Sequence, residues 1–141
     1  MKTRISAIAL LLGAAGCQTA TPTPAPTGTF SQIYETLFPP QTKAQCSFCH
    51  SLPPNQTSNG MLSMGDTKAT AYAALVKKPS VSKDCGAQLL VAPGDPEKSL
   101  FYTKLTTTSG CGGRMPLGGG ALTTDQLEMV RSWIAAGAAN D

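Results

Sequence analysis

Cys46-Ser47-Phe48-Cys49-His50 is the run from which everything else in this chain is read, and His50 is the only histidine among 141 residues. Two intervening residues put both sulfurs on one side of a single helical turn, and the next residue projects its imidazole from the end of that turn. A C-x-x-C can also be half of a zinc site or a thioredoxin-like redox pair. Zinc calls for four protein ligands, and here the other cysteines stand singly and no second histidine exists. A redox pair lies between a strand and a helix of a βαβ unit. This one follows Lys43-Ala44-Gln45 and leads into the proline-interrupted Leu52-Pro53-Pro54-Asn55.

The spacing with a histidine directly after it is the attachment signature of c-type haem. Cys46 and Cys49 are then the thioether positions on the porphyrin vinyl carbons, and His50 takes the iron. The cofactor expected is one covalent haem c.

The N-terminus supplies a matching compartment. Lys2 and Arg4 precede the apolar run Ile5 to Leu12, which ends in Gly13-Ala14-Ala15-Gly16, so residues 1–16 read as a signal peptide. The apolar run is far shorter than the roughly 20 residues of a membrane-spanning helix. Ala14-Ala15-Gly16-Cys17 resembles the bacterial lipobox, although leucine is commoner at the position of Ala14. That resemblance implies that Cys17 is lipidated, becomes the new N-terminus and tethers the chain to a membrane surface. The expected location is the periplasmic side of a bacterial membrane, as a lipoprotein; ordinary cleavage nearby would leave a soluble periplasmic protein instead. Residues 17–29 are rich in proline and threonine without a large apolar side chain, which suits an extended spacer rather than a core.

With Cys17 assigned to lipid and Cys46 and Cys49 to haem, Cys85 and Cys111 are left over. An even remainder in an exported protein predicts one disulfide, the alternative being two buried free thiols. Charge excludes one class of partner. Eleven basic and eight acidic side chains become nine and eight once Lys2 and Arg4 leave with residues 1–16, and a near-neutral domain is not a nucleic-acid binder.

Residues 30–141 have the size of one domain. Phe30, Ile33, Tyr34 and Leu37 fall at helical spacing, so residues 29–38 read as an amphipathic helix stopped by Pro39-Pro40. Asp66 is the expected cap of a second helix over residues 67–76, with Tyr72, Leu75 and Val76 on its apolar side. Asp95-Pro96-Glu97 begins a third helix that buries Leu100, Phe101 and Leu105. Thr123 to Gln126 is a capping box for a terminal helix, with Leu122 stapling onto Leu127; Leu127, Val130, Trp133 and Ile134 are its buried positions, and Gly137 ends it. Leu89-Leu90-Val91 is a short extended piece. The expected fold is all-α, about four short helices with long loops packed around one covalently bound haem.

The second axial position separates carriers from catalysts. Without another histidine the candidates are Met61, Met64, Met115 and Met129. Met129 lies within the terminal helix, where a packing role is the plainer reading. Met61 and Met64 follow the C-x-x-C-H closely and can line a pocket or ligate. Met115 lies in the glycine-dense loop Cys111 to Gly120, directly before the terminal helix.

Taken together, N-terminal helix, C-x-x-C-H, pocket loops, Met-Pro loop and C-terminal helix resemble the class I cytochrome c family over essentially all of residues 30–139. Arg114-Met115-Pro116 followed by residues 122–137 looks especially like the haem domains of bacterial exported lipoproteins. The resemblance implies a small cytochrome c fold, thioethers at Cys46 and Cys49, and His50 and Met115 as axial ligands of the haem iron. Two features depart from the family pattern: the insert carrying Cys85 and Cys111, and the missing glycine of the first helix that commonly lets it approach the last. Trp133 can supply the aromatic half of that contact.

His/Met ligation leaves the iron no vacant position, which implies an electron carrier rather than an enzyme, with redox proteins as donor and acceptor partners. The alternatives are a peroxidase-like haem enzyme with an open distal site, or a haem-based sensor or module of a larger redox complex. No distal histidine is available as an acid-base group for the former.

Overall fold

The structure, a computed structural model, describes residues 28–51, 62–106 and 111–141. The expected signal peptide, Cys17, most of the Pro/Thr-rich stretch and Met61 lie outside them. Among the described residues there are five α-helices joined by loops, and no sheet: α1 Phe30–Leu37, α2 Cys46–Cys49, α3 Lys68–Leu75, α4 Leu100–Thr106 and α5 Thr124–Ala135. The expected count of about four omits α2, which is the C-x-x-C turn itself. None of the described helices is long and apolar enough to cross a membrane.

Phe30, Ile33 and Leu37 are fully buried on one side of α1, as their spacing predicts. Thr29 and Gln32 close a capping box at its start: the Thr29 hydroxyl accepts from Gln32 N and the Gln32 side chain accepts from Thr29 N, both at 3.1 Å. The far end of the chain completes the cap. Asp141 Oδ1 accepts from Phe30 N at 2.7 Å, and the Asp141 carbonyl accepts from Ser31 Oγ and from the Lys68 ammonium. A carboxylate at this end of a helix meets the positive pole of its dipole.

Phe30 is the hub of the core. Its ring centroid lies 5.1 Å from Trp133, 5.3 Å from Tyr72 and 6.1 Å from Phe38, which joins α1 to α5, to α3 and to its own C-cap. Burying each such ring contributes about 2–3 kcal/mol. The first helix holds no glycine, and Gly28 stands two residues before it. A Cβ at Gly28 would sit 2.1 Å from the Met129 carbonyl oxygen, while Gly28 N donates to Ser132 Oγ at 3.0 Å. The close approach to α5 is therefore made by the segment leading into α1.

Two helix starts differ from expectation. Thr67, not Asp66, caps α3: its hydroxyl accepts from Thr70 N at 3.2 Å and Thr70 Oγ1 accepts from Thr67 N at 3.1 Å. Asp66 is exposed, and its carbonyl accepts from Tyr34 Oη. At the third helix, Asp95 does cap, accepting from Lys98 N at 3.1 Å, but only the single 3₁₀ turn Pro96–Lys98. Ser99 then breaks the helix because its fully buried hydroxyl turns back to donate to Asp95 O at 2.8 Å and accept from Ala92 N at 2.9 Å. The amides of Leu100 and Phe101 bond the carbonyls of Leu89 and Leu90, so α4 begins at Leu100.

The extended piece at residues 89–91 is present as isolated bridges, Val76 with Val91 and Pro79 with Leu89. Val76 is consequently extended, and α3 ends at Leu75. In α5 the Thr123–Gln126 capping box forms as read, Val130, Trp133 and Ile134 are buried and Leu127 is half-buried; Gly137, at φ +104°, follows the helix.

Candidate functional site

The C-terminus of α1 positions the Cys46–His50 segment. Thr42 Oγ1 donates to the Pro39 carbonyl at 2.8 Å and accepts from Gln45 N at 3.1 Å, and Ser47 N reaches back to the carbonyl of buried Phe38 at 3.0 Å. Gln45 turns the chain through the left-handed region, φ 48° and ψ 39°, so that α2 starts abruptly at Cys46. Holding a residue other than glycine there costs about 1 kcal/mol, which the bonds on either side offset. The helical turn closes with His50 N on the Cys46 carbonyl at 3.0 Å.

Cys46 and Cys49 thus come from one turn, both half-buried and both free thiols. Burial pushes the Cys46 thiol up to about 12, with the neighbouring Cys49 adding to the effect and a backbone hydrogen bond opposing it. A redox C-x-x-C works by the opposite device, a lowered thiol pKa that makes the nucleophilic thiolate. Among the described residues no group of three or more His, Cys, Asp and Glu side chains gathers in a way that could hold a metal ion, so the C-x-x-C has no further zinc ligands there.

His50 is oriented by the segment that follows. Its Nδ1 lies 2.9 Å from the Leu62 carbonyl oxygen, and its own carbonyl accepts from Met64 N at 2.9 Å. A carbonyl oxygen only accepts, so Nδ1 is the donor, and in the neutral imidazole the lone pair is then on Nε2. That is the arrangement of a metal-ligating imidazole, whose second nitrogen is held by a backbone or carboxylate acceptor that fixes tautomer and ring orientation. The donor set therefore fits a c-type haem: two free thiols on one turn, and next to them an imidazole held through Nδ1.

Of the methionines, Met64 is buried in the core, Met115 and Met129 are half-buried against it, and Met61 lies outside the described residues. Met115 N donates to the Lys104 carbonyl at 2.7 Å, which ties the Met-Pro loop to α4. Cys85 and Cys111 form the expected disulfide, with 4.8 Å between their Cα atoms.

Sequence reading missed the Leu62 carbonyl, Thr42 and Lys104. A backbone acceptor leaves no mark on residue identity, and lysine is ordinarily a solvated surface residue. No family model, curated protein or solved structure matches this chain.

Proposed function

We propose that this chain is a monohaem cytochrome c of the class I type that carries single electrons between redox proteins. Cys46 and Cys49 would hold the haem as thioethers, and His50, through Nε2, and Met115 would be the protein ligands of its iron. The observation that carries the reading is the hydrogen bond between His50 Nδ1 and the Leu62 carbonyl, which makes Nε2 of the chain's one imidazole the nitrogen for a metal, beside two free thiols. Met64 is the weaker candidate for the second ligand. Its amide bonds the His50 carbonyl in the segment that also faces Nδ1, away from the nitrogen that would take the iron, and its side chain is buried in the core.

When bound, the haem iron supplies reversible one-electron chemistry. The protein's part is to hold both ligands through that change and to keep the iron from exchanging them. As a ligand, the thioether of Met115 would raise the potential relative to a second imidazole, and with His50 it would favour electron transfer over catalysis. The signal peptide and Cys17 place the domain on the periplasmic side of a bacterial membrane as a tethered lipoprotein, with the Pro/Thr-rich spacer holding it off the surface.

The test is covalency. Full-length protein made in a host competent for cytochrome c maturation, then denatured and washed in acid-acetone, is expected to stay coloured. Cys46→Ser with Cys49→Ser is expected to lose the colour in the wash. Colourless wild-type polypeptide overturns the proposal.

A further inference from the structure

We propose that Lys104 is a positioning residue that fixes the Met115 loop, and through it the second axial ligand, from the last turn of α4. The inference rests on the His/Met reading above.

Lys104 grips the loop at three points. Its backbone carbonyl accepts from Met115 N at 2.7 Å, and its ammonium donates to the carbonyls of Cys111 at 2.9 Å and Gly113 at 3.1 Å. Between those acceptors Gly112 stands at φ +84°, with the ammonium 3.6 Å from where a Cβ would be. Glycine adopts that left-handed conformation without a steric cost, and the chain can wrap a single cation there. Cys111 is held independently by its bond to Cys85. The five residues 111–115 are thus pinned at the first by a disulfide, at the last by a backbone hydrogen bond, and in between by an ammonium ion.

Lys104 is half-buried, and burial draws its ammonium below the usual lysine range. Both acceptors of the ammonium are carbonyls rather than carboxylates, so the lysine orders backbone instead of neutralising a partner. A thioether is a weak neutral ligand, and in a loop this rich in glycine its retention depends on how little freedom the loop has to give up. An anchored loop keeps the sulfur at high effective concentration; a released one lets an exogenous base compete.

The experiment compares haem-loaded, full-length wild type with Lys104→Met and Lys104→Gln. Ferric protein is titrated with imidazole while the weak absorption at the red end of the spectrum, the signature of sulfur bound to iron, is followed. Wild type is expected to show the band, and both variants to bind imidazole roughly tenfold more tightly, equivalent to about 1.4 kcal/mol of lost anchoring. A lower melting temperature with unchanged imidazole affinity marks a merely structural lysine and overturns the proposal alone. Absence of the band from wild type overturns the His/Met reading and this proposal with it. Should neither variant load haem, hydrogen exchange of the wild type decides: a Met115 amide protected like the amides of α4 supports the anchor, and exchange at the rate of a free loop overturns it.

Discussion

Gly28 lies against the carbonyl of Met129, so closely that a Cβ there would stand 2.1 Å from the oxygen and 2.9 Å from Met129 Cγ. The oxygen belongs to helix backbone and cannot swing aside. Gly28→Ala is accordingly expected to push α1 from α5 and to cost about 1–3 kcal/mol, the range for an overpacked contact. Urea unfolding followed by circular dichroism measures it; an unchanged midpoint refutes the close-packing account.

The bond between Cys85 and Cys111 spans 26 residues of sequence and includes α4 within its loop. Replacing both cysteines by serine is expected to destabilise the domain by about 3–4 kcal/mol, mainly through the freedom returned to the unfolded chain. Chemical denaturation of the double variant beside the oxidised wild type gives the figure. Equal stability would show that the crosslink restrains nothing.

The carboxyl of Asp95 is held below its ordinary value, first by the hydrogen bond from the Lys98 side chain, and the same pair raises the Lys98 ammonium. A depressed carboxyl contributes stability that is present above its unfolded value and is lost as pH falls through the folded one. Asp95→Asn keeps a capping oxygen and removes the charge. Its deficit relative to wild type is expected to be small, larger at pH 7 than at pH 3. A deficit that does not shrink on acidification assigns the effect to capping rather than charge.

The two described methionines nearest the question of ligation separate by substitution. In haem-loaded protein, Met115→Ala is expected to abolish the sulfur-to-iron band and open the iron to cyanide, whereas Met64→Leu keeps the band and loses at most about 1.5 kcal/mol of stability, as a volume-conserving core change does. Optical spectra with and without cyanide read both. A band that survives Met115→Ala removes Met115 from the proposed ligand set.

The chain's own letters determined what rests on neighbours within about one helical turn. Phe30, Ile33 and Leu37 announce their shared face, Thr123 and Gln126 their capping box, and Cys46, Cys49 and His50 their common turn, because each pattern is a matter of spacing along a helix. The pairing of Cys85 with Cys111 was legible too, by elimination among five cysteines. Tertiary structure alone decided where backbone groups find distant partners. Ser99 splits what reads as one helix because Leu89 and Leu90 take the next two amides; Gly28 makes the close approach to α5; and the carbonyl of Leu62 holds the His50 ring through Nδ1. Main-chain donors and acceptors are the same at every residue but proline, so their long-range pairings leave no trace in composition or periodicity and exist only once the chain has folded.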